Sequence, residues 1–269
     1  MTTHNPRSRH LSRTGRWLRG IAGLAILVAA SEVLGRAGIV DKTYLPPAST
    51  ILSRAIGLAA DPDFMANVLS TIKAWALGLA IAVGAGVLLG LLLGGLPVVG
   101  TAVRAVLEFL RPIPSVALIP LVSLLLGTGL ATETTLIVYA AIWPVLFNTI
   151  YGLQDVDPVA KETLRTFGFG KVAIMWRVSL PAAAPFIATG VRLAAAVALI
   201  LAVGTEILSG FGSGLGIFIG QAEQGLDGAR DVLAGTVWAG ALGLVINTVL
   251  VQCERRLFRW HAAQSGGRS

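Results

Sequence analysis

DVDPVAKETLRTFGFGKVAIMWRVSLP, residues 155–181, is a polar stretch set between two long apolar runs. It carries seven charges: Asp155, Asp157, Lys161, Glu162, Arg165, Lys171 and Arg177. Each charge at the centre of a bilayer-spanning helix costs about 2.5–3.5 kcal/mol on the insertion scale, so the set would cost about 17–25 kcal/mol. The stretch therefore stays in water as a long loop, and it divides the apolar runs around it into separate membrane spans. Within it, Asp157-Pro158 reads as a helix start, because proline fits the first helical turn and an acidic residue precedes it. Val159, Ala160, Thr163, Leu164 and Phe167 then share one face, with Lys161, Glu162, Arg165 and Thr166 on the other. Gly168 reads as the C-cap. A second short helix is expected from Lys171 to about Val178, ended by Leu180-Pro181. Two short helices joined by a tight glycine turn make a rigid protrusion, suited to a passive interfacial anchor or to a knob for a soluble partner.

The whole chain agrees with that division. Of its 269 residues 55% are hydrophobic and only 13% charged, with a mean hydropathy of +0.77. A soluble domain carries about a quarter charged residues, so an ordinary cytosolic enzyme, a nucleic-acid-binding module and a disordered tail are excluded. The 32 glycines and 7% aromatics fit transmembrane helices packed through small residues. The single cysteine, Cys253, excludes a disulfide framework and a Cys-based metal site. Six runs approach the length of about 20 apolar residues that crosses a bilayer: Trp17–Leu34, Ile72–Leu96, Ala102–Leu126, Glu133–Leu153, Ala182–Leu208 and Val232–Cys253. The third is interrupted by Arg111-Pro112-Ile113-Pro114, and the fourth carries Pro144 mid-span, which should kink it without ending it. The fold expected is an all-α membrane protein of six transmembrane helices with a cytosolic two-helix loop.

Six spans put both termini on one side, and the net charge of +7 then becomes a topology signal. Fifteen of the 21 basic residues fall on the side of the termini and the 155–181 loop; Arg36, Lys42, Arg54, Lys73 and Arg230 fall on the other, and Arg192 lies inside the fifth span. Positive residues stay cytoplasmic. Both termini and the loop are therefore expected in the cytosol, with no nucleic-acid partner implied. Residues 1–15 read as a disordered basic tail touching anionic lipid, residues 16–256 as the transmembrane domain and 257–269 as a second cytosolic tail. The N-terminus also has the layout of a signal peptide. Its apolar run continues past a plausible cleavage point, however, and cleavage would leave five spans with termini on opposite sides.

Catalytic chemistry is mostly missing from the residue inventory. His4, His10 and His261 all lie in the tails, so no serine has a base. Gly168-Phe169-Gly170-Lys171 resembles the end of a phosphate-binding loop, but Arg165 and Val172 stand where that pattern needs glycine and Ser/Thr. No cofactor is expected in this chain. Gly78, Ala82, Gly86, Gly90 and Gly94 recur every four residues, and Gly235, Ala239 and Gly243 repeat the device; both predict close packing within the chain in preference to a subunit interface. Charges within or beside spans are Glu32, Glu108, Arg192 and Glu206. Glu108 and Arg111 are spaced to pair. Arg192 and Glu206 point to nearly the same side of one helix but lie about 21 Å apart along it, so each needs a separate partner or a water-filled cavity. Glu206 either faces a pathway or is an interfacial Glu satisfied by neighbouring backbone. Between Gly210 and Arg230, three closely spaced glycines beside Ile217–Gln221 suggest a segment that re-enters shallowly as a scoop, or else a plain surface loop.

Glu162-Thr163-Leu164, then Gly168, then Val178-Ser179-Leu180-Pro181 resembles the cytoplasmic loop signature of binding-protein-dependent ABC transporter permeases. Glutamate, glycine, leucine and proline fall at the family's spacing; Thr163 and Leu164 replace two alanines and Val178 an isoleucine. Leu110-Arg111-Pro112-Ile113-Pro114, Ala117-Leu118-Ile119-Pro120, Asn148-Thr149 and Gly190-Val191-Arg192-Leu193-Ala194 are similar to the nitrate/sulfonate/taurine branch, and the resemblance runs from about Tyr44 to Arg256. It implies a type I-like importer permease in the cytoplasmic membrane that moves a small anion. It also implies a permease homodimer, an external solute-binding protein, and two separate ATPase subunits that carry ATP and magnesium and grip one loop each. The coupling residues implied are Lys161, Glu162, Thr163, Leu164, Arg165, Phe167, Gly168, Leu180 and Pro181. Ser123, Asn148, Arg192 and Glu206 are the candidate pathway residues. An ion-coupled secondary transporter is the alternative, but neither an inverted repeat nor paired midplane acids are visible.

Overall fold

The computed structural model of the protein describes residues 13–38, 44–95, 106–210, 212–225 and 228–258, with side chains from residue 19 onward. The described residues are helical, with no strand among them. In chain order they form α1 (Arg13–Ala37), α2 (Ala48–Leu58), α3 (Pro62–Gly95), a helical turn at 106–110, and a 3-10 turn Ser115–Leu118 that leads into α4 (Ile119–Leu126). Then follow α5 (Leu130–Gln154), α6 (Pro158–Thr166), α7 (Lys171–Ile174), a wide π turn Met175–Ser179, α8 (Leu180–Ser209), α9 (Leu215–Ala222) and α10 (Gly228–Leu257).

Helix α5 lies between α3 and α8, and small residues explain why the three backbones can meet. A Cβ on Gly78 would fall 2.5 Å from Ile137, one on Gly86 2.8 Å from Val145, one on Gly90 2.5 Å from Thr149 and one on Gly94 2.8 Å from Leu153. The four glycines of α3 thus receive four side chains of α5 in the same order, so the two helices run parallel. The predicted packing within the chain is what these glycines do. On its other flank α5 meets α8 running the opposite way: Gly152 against Ala183 and Phe186, and Gly190 against Asn148 and the Pro144 carbonyl. Ala74, Ala82, Leu136, Ala141, Val145, Ala194 and Ala198 fill the seams and are buried.

A second, smaller core caps the end of the bundle remote from the 155–181 loop. Leu58, Phe64, Val68, Leu215 and Ala234 are buried there. Phe64 sits edge-on to both Phe218 and Trp238, and Trp238 Nε1 donates to the Ala55 carbonyl at 2.8 Å. Arg54 clamps Asp231 through two bonds of 2.7 and 3.0 Å. Glu32 ties α1 to this cap by accepting from Ser49 N at 2.8 Å and Ser49 Oγ at 3.0 Å.

Several expected boundaries move. Among the described residues five stretches are long and apolar enough to cross a bilayer: Arg19–Ala37, Pro62–Gly95, Leu130–Gln154, Lys171–Ser209 and Gly228–Leu257. The expected third span, Ala102–Leu126, has from residue 106 on the helix, break and second helix that its Arg111-Pro112-Ile113-Pro114 interruption predicts: a turn at 106–110, a break at Arg111–Pro114 and the apolar helix Ser115–Leu126. Pro112 and Pro114 supply no donors to a helical ladder, whereas Pro120 falls in the first turn of α4, where none is required. Leu180-Pro181 does not end a helix. Pro181 stands in the first turn of α8, and the π turn before it carries the chain from α7 into α8 without interruption. Helix α3 starts ten residues before the expected Ile72, and α1 starts at Arg13, inside the expected tail. Pro144 leaves α5 unbroken, as expected. Residues 1–12 and 259–269, most of the two expected tails, lie outside the described residues.

Candidate functional site

At one end of the bundle α6 is built as an isolated, doubly capped helix. Asp157 Oδ1 accepts from Val159 N at 2.8 Å, which satisfies an orphan amide of the first turn that Pro158 opens. At the other end Phe169 N donates to the Leu164 carbonyl at 3.0 Å and Gly168 N to the Arg165 carbonyl at 2.9 Å. This pair of bonds is the Schellman motif, and it requires the left-handed backbone of Gly168, whose φ is +81°. Lys161 Nζ reaches back to the Leu153 carbonyl at 3.2 Å and so ties α6 to the last turn of α5.

The apolar face divides differently from the sequence pattern. Ala160, Lys161 and Leu164 are half-buried toward the bundle, while Val159 and Phe167 are 66% and 77% exposed. Val172 and Trp176 are exposed as well, with Glu162, Thr163 and Arg165 exposed alongside. The Arg177 guanidinium covers the Phe169 ring at 4.8 Å, which fixes the turn after α6 to the π turn. Leu180 is half-buried and Pro181 exposed at the base of the protrusion. A short rigid helix thus presents an uncovered apolar strip edged with charge.

The four candidate pathway residues separate. Arg192 Nη1 donates to Glu254 Oε2 of α10 at 3.1 Å, and Thr189 donates to the same carboxylate at 3.4 Å. Arg192 lines a cavity of about 260 Å³ between α8 and α10, together with Ala195, Leu199, Gly243, Asn247 and Leu250. Ser123, Asn148 and Glu206 are not among its lining residues. Asn148 donates to the Pro144 carbonyl at 2.8 Å, one turn earlier in its own helix. Ser123 Oγ is buried with no hydrogen-bond partner among the described residues. Glu206 has no exposure at all; it accepts from Thr71 Oγ1 at 2.7 Å and from Gly216 N at 2.7 Å. Backbone and a neighbouring hydroxyl satisfy this carboxylate, the second of its two readings, and it does not line the cavity beside Arg192. The segment after it, Leu215–Ala222, is helical and largely buried, so it is neither irregular backbone nor a surface loop. Arg111 lies over the Phe147 ring at 4.8 Å.

Asn67, Thr71 and Glu254 were not singled out by the sequence pattern. For Glu254 a signal existed: an arginine inside a span requires an acid, and Glu254 directly follows the last expected span. For Thr71 there was none, since a threonine in an apolar helix is unremarkable.

A family model described as "Binding-protein-dependent transport system inner membrane component" matches residues 82–259. The chain belongs to this family. The permease is 30% identical over 250 residues to a Bacillus subtilis protein named as an aliphatic sulfonates transport permease, SsuC, covering 93% of this chain and 90% of that one. It is 29% identical over 248 residues to the taurine transport system permease TauC of Escherichia coli, covering 90% and 89%. Among solved structures, a bacterial alginate ABC transporter in complex with its pentasaccharide-bound periplasmic protein aligns with a TM-score of 0.57 at 16% identity, covering 90% of this chain and 94% of that one. That likeness concerns the fold. The permease is thus a transport subunit of the inner membrane, and no ATPase chemistry is assigned to it.

Proposed function

We propose that the permease imports a small organic anion of the sulfonate type, with both termini and the α6 protrusion in the cytosol. In this scheme it pairs with a second copy of itself and receives its cargo from an external solute-binding protein. Cytosolic ATPase subunits seat on α6. The observation that carries the reading is the doubly capped helix with Val159 and Phe167 uncovered at its surface. Exposed apolar side chains gain by burial in a partner's groove, and a helix capped at both ends transmits a push without fraying. Glu162 and Arg165 supply charged contacts at the rim. The substrate class follows the named cargoes of the sulfonate and taurine relatives.

The experiment is uptake of radiolabelled taurine and ethanesulfonate by cells that carry the transporter, with wild-type chain or a Val159→Ser/Phe167→Ser variant. The variant is expected in the membrane at normal amount, without ATPase subunits on purification, and without uptake. Persistent uptake with the strip removed would overturn the docking role. Uptake that collapses on addition of a protonophore while ATP is maintained would favour ion coupling instead.

A further inference from the structure

Glu206 is a fully buried carboxylate that the coupling scheme does not use. The chain after it turns on Gly210 and Gly212, both at positive φ (+66° and +106°), so the local backbone would let α9 swing as a flap. The side chains around it argue the opposite. Glu206 of α8 accepts from Thr71 Oγ1 of α3 at 2.7 and 3.0 Å and from Gly216 N at 2.7 Å. Thr71 Oγ1 in turn accepts from Leu215 N at 2.8 Å, and Asn67 Oδ1 accepts from Gly214 N at 2.9 Å. Three successive amides at the start of α9 are thus held by side chains of α3 and α8.

The glycines are part of the same device: a Cβ on Gly214 would overlap the Glu206 carboxylate, and one on Gly216 the Val203 carbonyl. The carboxylate also sits where the positive end of α9 favours it. Opening α9 would take the Gly216 amide from this buried carboxylate and leave it the Thr71 hydroxyl alone, and it would strip Asn67 and Thr71 of the amides they hold, which is costlier than breaking exposed bonds. We propose that Glu206 is a positioning residue that bolts α9 to α3 and α8, so that the three travel as one rigid block through the transport cycle and α9 never opens as a separate gate. The proposal rests on reading the chain as the moving subunit of an importer.

Ser70 of α3 and Ser213 beside α9 approach to 3.0 Å between their hydroxyls, which places a reporter across the joint. The test is a Ser70→Cys/Ser213→Cys pair in a Cys253→Ser background, in the assembled transporter with its ATPase subunits. Free thiols are counted with a maleimide polymer after oxidation, in nucleotide-free and vanadate-trapped samples. Equal cross-linking in both states is expected, with uptake by the linked protein within about twofold of the reduced protein, as for two groups that do not move apart. A cross-link that forms in only one state, or that blocks uptake until reductant is added, would overturn the proposal. In parallel, Ile219→Cys in the same background reports opening by its rate of labelling with a water-soluble maleimide. Labelling at position 219 decides the bolt even if the importer reading fails, since it needs neither uptake nor ATPase subunits. Glu206→Ala is expected to raise that rate about tenfold or more, and Glu206→Gln, which keeps an acceptor oxygen, by about twofold or less. An unchanged rate in Glu206→Ala would show that the carboxylate bolts nothing.

Discussion

Gly168 shows how much can hang on a single φ. Its +81° backbone lets the Gly168 and Phe169 amides close the end of α6, and an L side chain there costs about 1 kcal/mol. There is open space around its Cβ position, so the penalty is conformational and not steric. Gly168→Ala is expected to keep the protein in the membrane while lowering uptake and weakening retention of ATPase subunits, read by co-purification at matched expression. Arg192 makes a complementary case. Arg192→Ala leaves Glu254 half-buried at the membrane level without its 3.1 Å partner. A loss of about 1–2 kcal/mol is expected, discounted for the partial exposure of the pair. Arg192→Gln/Glu254→Gln should recover most of it, measured by thermal unfolding in detergent; a double variant no better than the single one would show that the ion pair is not what holds α8 to α10. At this scale the sequence was partly legible. The left-handed glycine and the Asp-Pro start follow from local backbone rules, whereas Glu254 and Thr71 lie 62 and 135 residues from Arg192 and Glu206, too far for a spacing argument, even though an arginine inside a span calls for an acid somewhere.

Among the elements, the seam between α3 and α5 was readable because small residues every four positions leave one helical face without side chains. What the pattern could not say is which helix fills the groove, since that depends on the chain's path. The seam predicts a sharp contrast between neighbours. Gly86→Leu would drive its Cβ to 2.8 Å from Val145 and 3.2 Å from the Ile142 carbonyl, while the same change at Gly84 meets nothing within 4 Å. Gly86→Leu is expected to cost about 1–3 kcal/mol or to prevent assembly, and Gly84→Leu to stay near wild type. Detergent melting temperature and membrane yield report both. The scoop helix α9 was less legible, because Gly212, Gly214 and Gly216 suggest loose backbone when read alone. In the fold, two of them are close-approach sites around a carboxylate, and only Gly212 uses its freedom of φ. Leu180-Pro181 misleads in the same way: read locally, proline stops helices, but Pro181 stands in the first turn of α8, where its missing N–H is tolerated, and the helix runs on.

For the molecule as a whole, the parallel order of α3 and α5 bears on the crossings beyond the five long apolar helices among the described residues. Two neighbours that run the same way need a return path between them, and only residues 96–129 are available to make it. The short helix Ser115–Leu126 covers about 18 Å at 1.5 Å per residue, less than the hydrocarbon thickness of about 30 Å. Glu32 pins the end of α1 to α2 at the cap, and α10 begins at the same cap beside α9. Helix α10 descends toward the end that carries α6, where Glu254 meets Arg192 and where the basic residues Lys161, Arg165, Lys171, Arg177, Arg255 and Arg256 gather. Positive residues stay cytoplasmic. The native chain carries its own reporter of this arrangement: Cys253 is its single cysteine and is exposed on the last turns of α10. A membrane-impermeant maleimide is expected to label it in inverted vesicles and not in intact cells, and an engineered Glu162→Cys in a Cys253→Ser background should follow the same rule. Labelling of the two from opposite faces would mean an odd number of crossings after α6, and α6 could not share a side with the last turns of α10.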